Sequence, residues 1–397
     1  MKKIKYIANN KDFGIEYDWK FIKKEYEKLG CPPDVYDPTT APLGSAKWFV
    51  ETSERNIGKT TNWLLVGMIM NEHYDTIIQY VRQSEDMIMP KNLIDLFSTI
   101  LAYDYVEKVT NGKWNSVTYK ARRYYYCNVD ENGNVIDMSP THFMFCCCVE
   151  KAQDLKSAYN CPTGDLIIYD EFISKYYTPN EFVHFCDLCK TIMRGRRSPI
   201  LVLLANTINP HSSYYNELEI YDDIQKMKIG ENRIITTDIG TKIYVEIIGA
   251  TGEKKRKNKI LNALFFGFKN PLLGAITGEN WSIKNYQHIP EDTTKDSVTY
   301  ISRELYIYHN GKYVRLDIVD HTELGICCYA HWVTKTHSDS TIFTIADRYD
   351  NRYKYRLGNG KVEKLINMLK SENRIYYATN DVGSFVDNYF NTIQMMK

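Results

Sequence analysis

Residues 53–60 read Ser-Glu-Arg-Asn-Ile-Gly-Lys-Thr, close to the pattern Gly-x-x-x-x-Gly-Lys-Ser/Thr. A loop of that pattern turns its backbone N–H groups inward and cradles nucleotide phosphates. The amides of Glu54, Arg55, Asn56, Ile57, Gly58, Lys59 and Thr60 are the expected cradle. Lys59 would pair with the β- and γ-phosphates, Thr60 would set its hydroxyl on Mg²⁺, and Thr61 extends the same set. Ser53 stands where the pattern has its first glycine. Serine adopts positive φ only at a cost, so the loop is expected to start at a slightly different angle.

Hydrolysis of ATP also needs a held Mg²⁺ and a polarised water. The run Leu-Ile-Ile-Tyr-Asp-Glu-Phe, residues 166–172, offers both. Asp170 would hold the Mg²⁺ shell, and Glu171 would orient and deprotonate the attacking water. GTPases carry Asp-x-x-Gly at this place, which is absent. Asn206 closes the apolar run Leu-Val-Leu-Leu-Ala-Asn and is either a γ-phosphate sensor or an ordinary strand end. Arg194, Arg196 and Arg197 lie just before that run. A guanidinium from such a loop can enter a neighbouring subunit's site and neutralise transition-state charge, and the alternative is a solvated basic loop.

The elements that must position these residues are legible from periodicity. "AKWFVETS" is a strand that ends at the loop, and "KTTNWLLVGMIMNE" is a helix that starts from it, where amides and helix dipole favour an anion. "DTIIQYVRQ", "GDLIIYDEF" and "SPILVLLANT" read as strands, and "PKNLIDLFSTILAYDYVEK" and "PNEFVHFCDLCKTIMRG" as helices. Strands alternating with helices indicate a largely parallel sheet covered on both faces. "EYDWKFIKKEYEKL" reads as an amphipathic helix ahead of it.

After about residue 245 the texture changes. A basic and then apolar stretch, "TGEKKRKNKILNALFFGFK", is followed beyond about 290 by β-rich runs and a helical end. The expected division is an ATPase domain over 1–245, a linker domain over 246–290 and a further α/β domain over 291–397.

Composition bounds the partners. Apolar residues are 44% and charged residues 25% of 397, a globular balance. No run of about eighteen apolar residues and no secretory leader stand out, so an intracellular protein without membrane contact is expected. A net charge of +1 excludes coating DNA by bulk charge but not gripping it in a local channel. "KKRKNK" and "KARRYYY" are the basic candidates, each otherwise a solvated face. The ten cysteines suggest no disulfide framework. Cys146, Cys147 and Cys148 read as small buried apolar groups, and Cys186 and Cys189 as one face of a buried helix, since no second pair completes a zinc site.

The set "SERNIGKT", "DLIIYDEFISK", "TIMRGRRSPILVLLANTINP" and "YIYHNGKY" resembles the DNA-packaging ATPases of φ29-like phages, small relatives of terminase large subunits. The resemblance runs from about residue 47 to near the C-terminus. It implies a P-loop NTPase domain of the additional-strand, catalytic-glutamate type, then a linker and a ribonuclease-H-like vestigial nuclease domain. It implies ATP and Mg²⁺ as cofactors, double-stranded DNA and the portal protein as partners, and a ring of five subunits. The place of action would be the host cytoplasm and, transiently, the procapsid portal vertex, not the mature virion. Some members hold a structural packaging RNA, which these residues leave open. By the same resemblance Lys59, Thr60, Asp170 and Glu171 take the roles above, and Arg194 matches the trans-acting arginine. Lys156 matches a lysine that reaches a neighbour's nucleotide, and Arg82 an arginine near the site. Asp317, Asp320, Asp347 and Asp350 are either remnants of nuclease acids or a live site. Two alternatives follow, a terminase with an active metal-dependent nuclease and a nucleotide-regulated nucleic-acid-binding ATPase without translocation.

Overall fold

The structure is a computed structural model. It describes residues 17–31, 35–53, 57–157, 164–173, 180–194, 199–206, 212–249, 286–290, 295–309, 311–344, 352–354 and 360–394. Two compact units emerge. The first comprises Met1–Ser174, Asn180–Ile208 and Glu217–Lys257, and the second Lys175–Pro179, Asn209–Asn216 and Asn258–Lys397. Most of the linker segment expected over 246–290, with "KKRKNK", lies outside the described residues, as do Asp347 and Asp350.

The first unit is built on a ten-stranded sheet. In chain order its strands are β1 (Trp48–Ser53), β2 (Ile78–Arg82), β3 (Ser116–Lys120), β4 (Arg123–Val129), β5 (Val135–Met138), β6 (Met144–Cys148), β7 (Leu166–Asp170), β8 (Ile200–Ala205), β9 (Asn232–Thr236) and β10 (Lys242–Ile248). In space they run β3-β4-β6-β2-β7-β8-β1-β10-β9, with β5 paired to β4. The stretch from β6 to β10 is parallel throughout. Every residue of β6, β7 and β8 is buried, without alternation, as a sheet covered on both faces requires. Cys146, Cys147 and Cys148 fill β6 and are buried.

Helices supply the covers. α1 (Trp19–Lys28) starts at Asp18, whose carboxylate accepts from the Phe21 N–H at 3.1 Å, and buries Ile22 and Tyr26. α2 (Lys59–Tyr74) leads from β1 to β2 and is buried from Asn62 to Met70. It can lie so close because of Gly67, where a Cβ would stand 2.6 Å from the Ile78 side chain. The segment expected as one helix over 90–108 is instead three, α3 (Pro90–Leu93), α4 (Ser98–Ala102) and α5 (Tyr105–Val109). A turn at 94–97 and Asp104 at φ 55° break it, so that Leu93, Phe97, Ile100 and Tyr105 all reach the core. α6 (Ala152–Ser157) follows β6. On the sheet's other face α7 (Glu181–Met193) sets Phe185 against Tyr169, ring centroids 4.8 Å apart. Cys189 is buried on this helix and Cys186 half-buried.

The second unit holds a six-stranded sheet of order β15-β14-β11-β12-β13-β16. Its strands are β11 (Val298–His309), β12 (Lys312–His321), β13 (Gly325–Val333), β14 (Thr341–Thr344), β15 (Tyr353–Lys354) and β16 (Ile375–Tyr377). β11, β12 and β13 form an antiparallel meander, and β14 then runs parallel to β11 and β15 parallel to β14. Two C-terminal helices, Lys361–Ser371 and Asn380–Gln394, pack Ile366, Leu369, Phe385 and Val386 on one face. Among the described residues no helix is long and apolar enough to cross a membrane.

Candidate nucleotide site

Ligand sites in parallel sheets form at the carboxyl ends of the strands. Here β1, β8 and β7 are adjacent, so Ser53, Asn206 and Asp170 end up side by side. Gly58 caps α2 at φ 90°, a conformation that leaves serine or alanine strained, and Lys59 and Thr60 open the helix. Tyr36 N–H donates to the Ile57 carbonyl at 3.0 Å and ties the 35–41 segment to the loop. Glu54, Arg55 and Asn56 lie outside the described residues.

The expected strain at Ser53 does not arise. Ser53 is the last residue of β1, in extended backbone paired with Ile248. Its hydroxyl accepts from Lys59 Nζ. Lys59 is only 4% exposed and donates also to Asn206 Oδ1 at 3.2 Å. Burial lowers its pKa to about 8, with Asp170, Glu51 and Glu171 pulling the other way. Both hydrogen-bond partners described for this buried ammonium are neutral, which suits a site meant to receive an anion.

Asp170 accepts from Thr60 Oγ1 at 3.0 Å through Oδ1 and from Tyr80 at 2.8 Å through Oδ2. Burial, and then the Asp170 charge, keep the Tyr80 phenol protonated and donating. Arg82 bridges the two acids, with Nη1 3.3 Å from Asp170 Oδ2 and Nη2 2.5 Å from Glu171 Oε2. Asn206 Nδ2 lies 3.4 Å from Glu171 Oε1. Glu171 has φ 56°, a left-handed turn just past β7 that swings its side chain toward Arg82 and Asn206. A cavity of about 380 Å³ opens beside this cluster, lined by Thr60, Thr61, Tyr80, Arg82, Met87 and Asp170.

The donor set fits Mg²⁺-nucleotide. A hydroxyl and a carboxylate side by side are hard oxygen ligands, and Mg²⁺ is ordinarily held by one or two such groups plus phosphates. Among the described residues no group of three or more His, Cys, Asp or Glu could hold a metal, so no all-protein cage competes with that arrangement.

Other expected residues stand apart. Arg194 is the exposed C-cap of α7 at φ 34°, and among the described residues no hydrogen bond or ion pair joins it to Lys59, Thr60, Asp170 or Glu171. Arg196 and Arg197 lie outside the described residues, and so does the side chain of Lys156 on α6. "KARRYYY" makes the tight β3–β4 turn, with Ala121 and Arg122 at φ 51° and 63°. There Arg122 is already paired with Glu85. Tyr80 went unread in the sequence. Two positions before Arg82 and on the same strand face, it could have been found from period 2 alone.

In the second unit Asp317 is 1% exposed in β12. Arg315 Nη2 donates to it at 3.0 Å, His331 Nε2 lies 3.0 Å away, and Arg303 Nε approaches to 3.7 Å. Burial alone would raise its pKa, but the His331 and Arg315 hydrogen bonds and charges hold it below the usual carboxylate range. Asp320 is exposed. An acid so paired offers a metal little.

No family model matches the sequence, and no curated protein does. Solved structures do. The phi-28 gp11 DNA packaging motor matches with TM-score 0.50 and 15% identity, over 91% of this chain and 99% of that one. The bacteriophage phi-29 viral genome packaging motor assembly matches with TM-score 0.50 and 15% identity, over 92% and 100%. The chain has the fold of phage DNA-packaging motor proteins. The N-terminal domain of the DNA packaging ATPase from bacteriophage phi29 also matches, at TM-score 0.42 and 18% identity, over 55% of this chain and 98% of that one.

Proposed function

We propose that the chain is an ATPase motor that drives double-stranded DNA through a portal into a phage procapsid. The observation that carries this reading is the convergence of Lys59, Thr60, Asp170, Glu171 and Asn206 at three neighbouring strand ends. The shared fold with packaging motors supports the choice of substrate. In this reading Lys59 and the 54–60 amides bind the phosphates of ATP, and Thr60 and Asp170 hold Mg²⁺, which offsets phosphate charge. Glu171 takes the proton of the attacking water, and Asn206 orients it. Arg82 holds Glu171 at 2.5 Å. A carboxylate oxygen held that closely is not open to the attacking water, so the phosphates, by drawing the guanidinium toward themselves, would free Glu171 as ATP is seated. Arg194 acts on a neighbour's nucleotide in a ring of five on the portal vertex, where Lys156 joins it, and the whole works in the host cytoplasm.

The domain reading is an ATPase domain over 1–245, a linker over 246–290 and a vestigial ribonuclease-H-like domain over 291–397. An antiparallel meander continued by parallel strands supports the last, and the pairing of Asp317 with Arg315 supports the loss of cleavage. Supercoiled plasmid incubated with the full chain and Mn²⁺ should therefore stay supercoiled. Linear or nicked product would establish the active-nuclease alternative.

The test of the central reading separates the two acids. Glu171→Gln should bind ATP and Mg²⁺ normally but turn over about a hundredfold more slowly or worse, because the amide keeps shape and loses basicity. Asp170→Asn should instead weaken Mg²⁺-dependent binding. DNA-stimulated phosphate release and analogue binding measure both, and identical defects would refute the division of roles. Uptake of DNA by procapsids with ATP then distinguishes a motor from an ATPase that only binds nucleic acid.

A further inference from the structure

Glu51 poses a problem that the proposed chemistry does not use. It lies in the middle of β1, 0% exposed, two residues before Ser53. Trp63 Nε1, from the first turns of α2, donates to its Oε2 at 2.8 Å. Its Oε1 is buried with no hydrogen-bond partner among the described residues. Directly across on β10, in parallel register, stands a second acid, Glu246. Glu246 Oε2 accepts from Tyr244 at 2.9 Å and from Tyr36 at 3.2 Å. Tyr36 is the residue whose amide ties the 35–41 segment to Ile57 of the phosphate loop. β1, β10, the start of α2 and the 35–41 segment thus meet at this pair.

We infer that the Glu51–Glu246 pair keeps one proton at neutral pH, and that this proton keeps the floor of the phosphate loop in its nucleotide-binding form. The inference rests on the nucleotide reading of the loop. Two carboxylates on neighbouring strands sit roughly 5 Å apart at the backbone, and with Glu51 fully buried and Glu246 half-buried both cannot stay ionised without cost. The groups described as facing the pair are Tyr36, Tyr244 from β10, and Trp63 and Lys59 from α2. Burial, helped by the Glu246 charge, pushes the Glu51 carboxyl up to about 8, against the Trp63 hydrogen bond, the nearby Tyr36 hydroxyl and the charge of Lys59. Burial likewise raises Glu246, against Tyr244 and Tyr36. The titration belongs to the pair rather than to one member. Loss of the proton would add an anion beneath Lys59, the cation that the phosphates need, and would repel the phosphates as well. Nucleotide binding and retention of the proton thus favour each other. Glu51 is a positioning residue and touches no reacting atom.

Two measurements on the full chain test this. The first is affinity for Mg²⁺ with a slowly hydrolysed ATP analogue, from roughly one pH unit below to one above the Glu51 value of about 8. Wild-type Kd should rise by up to about tenfold per pH unit above that value for the Glu51 proton, on top of any rise from Lys59, and Glu51→Gln should rise distinctly less steeply. In Glu246→Gln the rise should begin at lower pH, since the neighbouring acid no longer pushes Glu51 up. Lys59, also lowered to about 8, would give a rise that Glu51→Gln retains. A rise in Glu51→Gln as steep as in wild type, or a flat wild-type profile, overturns the inference. The second measurement is melting without nucleotide. The folded carboxyl titrates above its ordinary value of 4.5, so its contribution is complete below 4.5 and is lost as pH rises through about 8. The melting temperature of wild type should fall relative to Glu51→Gln across that window. Equal pH dependence in the two proteins overturns the retained proton. Absence of analogue binding at any pH overturns the nucleotide reading and the coupling with it, while the melting comparison still decides the proton.

Discussion

Lys59→Ala should bring ATP turnover below about a thousandth of the wild-type rate. The lysine is the buried cation at the start of α2, 4% exposed, with its ammonium set between Ser53 and Asn206 at the ends of β1 and β8. A flexible surface cation could not stand in for it, because a charge in that position acts at low dielectric and already oriented. The fold should survive. Burial costs this ammonium enough to lower its pKa to about 8, so removing it relieves a desolvated charge. Melting should therefore stay near wild type or rise, while analogue affinity and phosphate release both fall. Turnover within tenfold of wild type, in a protein that melts normally, would show that the loop does not hold phosphates.

The second large effect concerns Arg194. It caps α7 on the protein surface, in the left-handed region at φ 34°, with no described bond to its own chain's site. If it serves a neighbour, no site is complete in a monomer. Turnover should then climb more steeply than linearly with protein concentration, or with DNA and portal that gather subunits. Arg194→Ala should lower turnover by about a thousandfold and leave analogue binding intact. Mixing it with Glu171→Gln should restore hydrolysis well above either variant alone. Where a Glu171→Gln chain lends its Arg194 to a chain with intact Glu171, one whole site forms. If rings assemble and no mixture recovers turnover, the trans role is wrong, and Arg196 is the next residue to test.

Much of the site could be read along the chain because each half of it is local. Strand, loop and helix follow one another over 48–74, and an apolar strand closes on Asp170-Glu171 over 166–171. Such segments carry their own period, caps and turn residues. The segment over 90–108 was less readable. Its apolar spacing suits one helix, yet tertiary packing favoured a break at Asp104 that lets both halves reach the core. The expected cost at Ser53 also depended on context. The pattern assigns that position to the turn, but pairing with Ile248 keeps it in the strand and makes its hydroxyl a partner of Lys59.

The sequence by itself determined which residue types could bind phosphate, hold Mg²⁺ and move a proton, and that each lies at a strand end or at the helix start that follows one. Those properties follow from residue type and from contacts within a few positions. Only the tertiary structure decided which strand ends touch. Insertion of β8 between β1 and β7 brings Asn206 to Lys59 across 147 positions, and β2 beside β7 brings Tyr80 and Arg82 onto the two acids. The pairing of Glu51 with Glu246, and of Asp317 with Arg315 and His331, arises in the same way. Strand order is set by which long-range pairings bury the most apolar surface for the loop closure they require, and no local period encodes it.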